Sequence, residues 1–196
     1  MRVISGTSKG KRLATRKGQA LRPTSDRVKE SIFNILGEVV EGKVVLDLFA
    51  GTGNLGIEAL SRGAKRALFV ERGREATRLI KSNLFQCGMA MVSEILPKEV
   101  IRAIGTLHQR GETFDLILMD PPYEKGLIKK TLWKLQSHRI YHDDSLLVIE
   151  HDRREPLPKD LDGWNLIRQT KIGDTLVSFL TPLRGEAESE PLDSPA

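Results

Sequence analysis

The sequence predicts an α/β domain: a seven-stranded, mostly parallel sheet, finished by a C-terminal antiparallel hairpin and preceded by a small N-terminal β-hairpin extension. Three observations lead there. From about residue 43, short apolar runs alternate with segments of helical periodicity, and continuous apolar strands separated by helices make a parallel sheet covered on both faces. Near the end, residues 164–172 and 175–181 flank Gly173-Asp174, which suits a tight hairpin. The length of 196 residues is enough for one domain with a sizeable core.

Taken in order, residues 1–24 form a basic extension in which Val3-Ile4 and Arg12-Leu13 are the strands of the small hairpin. Thr24 is placed to cap a helix reaching about Val40, with Val28, Ile32, Ile35, Leu36 and Val39 on one face. Residues 44–48 read as a buried strand and 54–62 as a helix. Residues 67–71 are the next strand, followed by a helix over 75–85 with Ala76, Leu79, Ile80 and Leu84 near helical spacing. A third strand over 91–96 precedes a helix through Val100, Ile101, Ile104 and Leu107. Residues 114–119 are a strong fourth strand, 126–136 a helix and 146–149 a fifth strand. The main domain spans residues 25–182. Residues 183–196 form an acidic tail, Glu-, Ser- and Pro-rich and expected to be disordered.

Composition narrows the class. No stretch approaches the roughly 18 apolar residues of a membrane span, and Met1 to Gly6 has no apolar signal core behind its charge. The single cysteine, Cys87, gives no disulfide framework and no metal-type pair. It reads as a small apolar residue at a helix end. A soluble cytoplasmic monomer is expected. The net charge is +5, but residues 1–30 hold nine Lys or Arg and two acids, against 22 and 24 in the remainder. Arg2, Lys9, Lys11, Arg12, Arg16, Lys17 and Arg22 all precede the first acid. Such an arm suits a polyanionic partner, and charge alone weighs equally for a solvated surface. No aromatic residue precedes Phe33, so an arm that meets nucleic acid grips phosphates and does not stack on bases.

The first strand runs into Asp47-Leu48-Phe49-Ala50-Gly51-Thr52-Gly53-Asn54-Leu55-Gly56, a G-x-G-x-x-G loop opening a helix. Alone the pattern is weak, since it serves dinucleotides as well as S-adenosylmethionine. Glu71 ends the second strand, with Arg72 beside it, and a carboxylate there can accept from both ribose hydroxyls. Asp47 helps to decide between the ligands. It would face a dinucleotide's pyrophosphate as a like charge, whereas S-adenosylmethionine carries an ammonium and a sulfonium that Asp47 can help to hold, directly or through water. A purely structural Asp47 would instead tie down the loop's amides. Glu99, with Val100 next to it, is the candidate partner of the adenine amine; a solvated glutamate at a helix start is nearly as good a reading.

Asp120-Pro121-Pro122-Tyr123 follows the fourth strand directly. Strand carboxyl ends form the ligand crevice of a parallel sheet, so this segment stands beside the cofactor loop. Two prolines stiffen the turn and remove two N–H donors. What remains are acceptors: Asp120 for one N–H of an exocyclic amine and the Pro121 carbonyl for another. Held this way, the amine's lone pair points at an electrophilic methyl, Asp120 stabilises charge developing on nitrogen, and Tyr123 stacks on the flat base. A base within a helix has to be flipped out to reach such a pocket. In isolation D-P-P-Y is a strand followed by a proline turn; after the matched loop the catalytic reading prevails. His108, His138, His142 and His151 show no metal spacing and no nucleophile partner, so surface or structural roles are expected and no metal is assigned.

Ser5-Gly6, Lys9 to Leu13, Arg22 to Glu30, Phe33 to Leu36, the Asp47–Gly56 loop, Gly56 to Ala64 and Asp120 to Tyr123 together resemble the bacterial RsmD family of 16S ribosomal RNA guanine-N2 methyltransferases, which act on guanine 966. The resemblance covers about residues 1–182, and Arg22 to Glu30 is its most specific part. It implies a Rossmann-like class I methyltransferase fold, S-adenosylmethionine as cofactor and the guanine N2 amine as acceptor. The partner it implies is 16S rRNA in the small ribosomal subunit or an assembly intermediate. Lys9, Lys11, Arg12 and Arg22 become candidate RNA contacts. Thr24, Asp26 and Arg27 are placed near the methionine end of the cofactor or the substrate entrance, with helix capping and surface pairing as equal alternatives. Lys98-Glu99 departs from the family, where a smaller polar residue is usual, and so does the acidic tail. An adenine-N6 or cytosine-N4 DNA methyltransferase and a non-catalytic ribosome-assembly factor remain competing readings.

Overall fold

Strands β1 (Val44–Leu48), β2 (Arg66–Val70), β3 (Ser93–Leu96), β4 (Phe114–Met119), β5 (Tyr141–Asp152), β6 (Trp164–Ile172) and β7 (Thr175–Pro182) form one sheet in the order β3-β2-β1-β4-β5-β7-β6. The first five are parallel, and β7 runs antiparallel to both of its neighbours. Helices α1 (Pro23–Leu36), α2 (Asn54–Ser61), α3 (Arg74–Cys87), α4 (Val100–Gln109) and α5 (Leu127–Ser137) complete the fold. The computed structural model describes residues 1–15, 23–123, 126–161 and 163–183. Arg16, Lys17, Arg22 and the tail from 184 onward lie outside them, as does the side chain of Thr24. Among the described residues no helix is long and apolar enough to cross a membrane.

Strand alternation sorts the side chains into two cores. Val45, Ala67, Phe69, Leu116, Leu118 and Val148 pack with α1, α2 and α3, whereas Leu46, Leu48, Leu68, Val70, Ile117, Met119, Leu147 and Ile149 pack with α4 and α5. Successive side chains of a strand point to opposite faces, so Asp47 falls on the α2 side. Cys87 is a buried last residue of α3, as its apolar reading requires.

The extension is pinned onto the first core. Val3 and Leu13 are buried in it, and Arg2 bridges antiparallel to Arg12. One bridge replaces the two expected strands, Val3-Ile4 and Arg12-Leu13. The anchor is Glu58, a fully buried carboxylate in α2. It accepts from the Ile4 and Ser5 amides at 2.8 and 3.0 Å and pairs with Lys29 at 3.2 Å and Arg62 at 2.9 Å. Lys29, itself buried, also donates to the Arg2 carbonyl and to Asn54 Oδ1 at 2.7 Å. Burial lowers the Lys29 pKa and the Glu58 charge opposes that shift. Removing one member of such a buried set leaves the other charge uncompensated, at a typical cost of about 3–5 kcal/mol.

Several boundaries differ from expectation. The first helix starts at Pro23, one residue before the expected Thr24 cap, because proline is preorganised for the first helical position and lacks an N–H that would go unpaired there anyway. It tightens into a 3₁₀ turn over Gly37–Val40, which rotates Val39 out to 56% exposure and buries Val40 in its place. Phe33 is buried on the same helix. Residues 90–92 are a 3₁₀ turn, so β3 begins at Ser93. The fifth strand extends to Tyr141–Asp152 around a register shift against β4.

Candidate active site

A cavity of about 620 Å³ opens at the carboxyl ends of the parallel strands, beside β1, where the chain's crossovers reverse direction. Every loop after β1 to β4 contributes to its lining. Asp47, Phe49, Ala50, Gly51, Thr52 and Asn54 come from the first, Glu71 to Gly73 from the second, Lys98 to Val100 from the third and Asp120 to Tyr123 from the fourth, with Glu150 on β5. The fold thus gathers Asp47, Phe49, Gly51, Glu71, Arg72, Glu99, Val100, Asp120, Pro121, Pro122 and Tyr123 into one place. Gly53 stands behind the lining as the left-handed N-cap of α2.

The β1 loop turns sharply. Gly51 and Gly53 have φ of +58° and +82°, and Phe49 is held at +61°, the one non-glycine residue with positive φ among those described. An aromatic residue in that region is strained, and such strain collects at functional sites. Gly56 is needed for packing: a Cβ there would lie 2.3 Å from the Phe69 ring and 3.1 Å from Asp47 Oδ2. Asp47 does what the structural reading required, since Oδ2 accepts the Gly56 amide at 2.9 Å. It also lines the cavity, so the bracing role leaves it in place to meet a ligand. Burial pushes its carboxyl up to about 7, against the Gly56 hydrogen bond and with help from the Asp120 and Glu71 charges.

The Glu71 carboxylate takes the Gly51 amide at 3.0 Å and the Gly73 amide at 2.7 Å. It braces the loop and still has lone pairs to offer, a carboxylate having roughly four acceptor sites. Glu99 caps α4, accepting from the Arg102 amide at 3.2 Å, so its helix-start role is realised while it lines the cavity. Val100 is buried beneath. Asp120 is exposed to the cavity, and desolvation by its surroundings pushes its carboxyl up to about 6. Tyr123 is raised to about 12, by burial first and then by the Asp120, Glu150 and Asp152 charges.

Five carboxylates line the cavity against two cations, Arg72 and Lys98. That set repels a pyrophosphate and fits a cationic ligand with sugar hydroxyls. The acids have a cost. A carboxyl whose folded pKa lies above its ordinary value stabilises the fold in acid and loses that contribution as pH climbs from about 4 to about 7. For Asp47 the loss is roughly 4 kcal/mol. Asp47→Asn should therefore raise the melting temperature of the ligand-free protein at pH 8 more than at pH 5, while weakening S-adenosylmethionine binding by about tenfold or more. Calorimetric titration together with thermal unfolding at the two pH values checks both halves.

The remaining sites divide. Lys9 and Arg12 are exposed, and Lys11 Nζ reaches the Gln86 carbonyl at 3.1 Å. Arg27 is exposed on α1, and neither it nor Asp26 lines the cavity. Instead α1 reaches the cavity through Lys29 and Asn54. Sequence reasoning put Glu150, at the end of the fifth strand, near the crevice without assigning it a role, and missed Thr52, Lys98 and Met1 in the lining. It missed the outward face of α3, where Arg74, Arg78, Lys81 and Phe85 are exposed at helical spacing between the cavity lip and Gln86. His151 is buried and structural, with ring nitrogens 2.9 Å from the Glu155 carbonyl and the Ser178 hydroxyl.

Sheet order, antiparallel hairpin and acid-lined cavity define a Rossmann-like class I methyltransferase. A family model described as "Conserved hypothetical protein 95" matches residues 1–181. Ribosomal RNA small subunit methyltransferase D of Escherichia coli is 32% identical over 193 residues, covering 97% of this chain and 94% of that one. YlbH of Bacillus subtilis is 39% identical over 179 residues, covering 91% and 97%. The solved structure of yhhF from Escherichia coli superposes with a TM-score of 0.78 at 31% identity, over 93% of this chain and 97% of the other. The chain belongs to this family, the RsmD family.

Proposed function

We propose that the protein transfers a methyl group from S-adenosylmethionine to the exocyclic N2 amine of a guanine in 16S rRNA, acting as a monomer on the small ribosomal subunit or an assembly intermediate of it. The observation that carries this reading is the placement of Asp120 to Tyr123 and the Asp47–Gly56 loop on one acid-lined cavity. The guanine and the small subunit come from kinship, since the Escherichia coli relative is named for the small subunit.

Bound in this cavity, S-adenosylmethionine supplies an electrophilic methyl group. The chain's residues do the rest. Glu71 holds the sugar hydroxyls, Glu99 and Val100 border the adenine, and Asp47, with Phe49, Gly51 and Arg72 around it, orients the methionine end. Asp120 and the Pro121 carbonyl accept the two N–H bonds of the amine, Pro122 stiffens the turn, and Tyr123 stacks on the base. Positioning contributes most of the rate, and the Asp120 charge opposes the positive charge growing on nitrogen. Incubation with labelled S-adenosylmethionine and undermethylated small subunits, followed by mass-spectrometric mapping of the modified nucleotide, tests this. Absence of label in any RNA sinks it.

On the outer surface, RNA phosphates meet Lys9, Lys11 and Arg12, and kinship adds Arg22, Thr24 and Arg27 as further substrate contacts. The α3 face extends this track, and Phe85, 81% exposed, supplies an aromatic surface that the arm lacks. Replacing Lys9, Lys11 and Arg12 with Gln should flatten the salt dependence of RNA binding by about two to three counterions. Cofactor affinity should stay as it was. An unchanged salt slope, read from filter binding across a salt series, contradicts the arm's role.

A further inference from the structure

We propose that Glu150 reads the target base: its carboxylate accepts the guanine N1–H while Asp120 accepts from the neighbouring N2 amine, so that the site selects guanine over bases whose amine lies beside a bare ring nitrogen. The inference rests on the proposed guanine acceptor and adds the residue that chooses it.

The strand ends place the two carboxylates together. Met119 of β4 pairs in register with Ile149 of β5, so Asp120 and Glu150 occupy the next positions on adjacent parallel strands, which lie about 4.8 Å apart. Both line the cavity. Alternation along β5 turns Glu150 to the face of Val148, the side on which Asp47 also lies. No hydrogen bond joins the Glu150 side chain to any described residue, and its recorded electrostatic neighbours are the acid Asp120 and the phenol Tyr123. Burial first, and the Asp120 charge second, raise its carboxyl well above the usual range. A carboxylate kept half-buried beside another carboxylate without a donor is costly. A structural acid such as Glu58 or Asp47 finds amides or cations; Glu150 has neither among the described residues and lines the cavity that the base would enter.

Guanine matches this pair. Its Watson–Crick edge sets two adjacent donors side by side, the C2 amine and N1–H. Adenine and cytosine set their amines beside an unprotonated ring nitrogen, whose lone pair would face Glu150. A buried acceptor opposite an acceptor leaves both unpaired, the kind of mismatch that gives large discrimination.

The test uses the full chain and small subunits reconstituted with ligated 16S rRNA, in which the target guanine is kept or replaced by 2,6-diaminopurine. That base has the same C2 amine but a bare N1. Wild type should prefer guanine by at least about 100-fold in kcat/KM. Glu150→Gln, whose amide can donate to a bare N1, should bring the preference to within about tenfold or reverse it, and Glu150→Ala should reduce it without reversal. Each ratio is internal to one variant, so a change in stability or cofactor affinity cancels in it. A wild-type ratio retained in both variants overturns the proposal. So does loss of transfer to both bases in Glu150→Gln, because base reading alone leaves the analogue's amine open to methylation. If wild type methylates no guanine amine, the functional reading fails instead, and the two failures are distinct.

Discussion

Asp120→Asn should lower kcat/KM for undermethylated small subunits by about 10³-fold while S-adenosylmethionine affinity changes only several-fold. Asparagine keeps the shape of the turn but loses the negative charge, and its amide group can turn donors toward an amine that needs acceptors. The pH dependence gives a second signature. Ionised Asp120 carries the charge that opposes the one growing on nitrogen, and desolvation by its surroundings pushes its carboxyl up to about 6. Activity should therefore rise with pH through about 6, and this acid limb should move to lower pH in the asparagine variant, where Glu150 titrates without the Asp120 charge beside it. Asp120 and Glu150 interact, so the limb belongs to the pair and not to either acid alone. Single-turnover methylation across pH 5–8 measures it. A variant that keeps a tenth of wild-type activity would remove Asp120 from the chemistry.

Gly6→Ala should cost more than about 4 kcal/mol, an exceptional value for adding one methyl group. Gly6 has φ of +80°, and a Cβ there would lie 1.6 Å from the Ser61 carbonyl oxygen and 2.3 Å from its carbon. Neither atom can withdraw, since Ser61 is the buried last residue of α2 and its carbonyl holds the Thr7 amide at 2.8 Å. The extension must lift off. Glu58 then loses the Ile4 and Ser5 amides inside the core. A domain of this size drops by roughly 2–4 °C in Tm per kcal/mol, so a fall of about 10 °C is expected, with early hydrogen exchange at residues 2–14. A Tm within 2 °C of wild type would show that the extension contributes nothing to the fold.

Most of the sheet was legible in the sequence because buried parallel strands are written as continuous apolar runs, and β1, β4 and the hairpin fall where those runs lie. β5 was cut short because His142-Asp143-Asp144 interrupts its run at the register shift. The cavity's first loop was legible as glycine spacing and its last as D-P-P-Y. Glu150 was legible only as a residue near the crevice, because its meaning depends on which residue the neighbouring strand places beside it. Glu58 left a faint signal, a charge among Leu55, Ile57, Ala59 and Leu60. Its partners Lys29 and the Ile4 and Ser5 amides are more than 25 residues away, beyond any local pattern. The sequence also could not separate Asp47 as brace from Asp47 as ligand contact, because a carboxylate that ties down the Gly56 amide can line the cavity as well.

Strand β7 lies between β5 and β6, and this places a constraint on how the protein is made. β6 leaves the ribosome first but has no partner until β7 has arrived, and β5 keeps one edge bare over the same interval. The sheet therefore cannot be completed until that last strand has been made. A nascent chain paused before Thr175 would carry its cofactor loop and its Asp120 turn already written, yet would expose the long edge of β5, the kind of surface on which unfinished chains stick to one another.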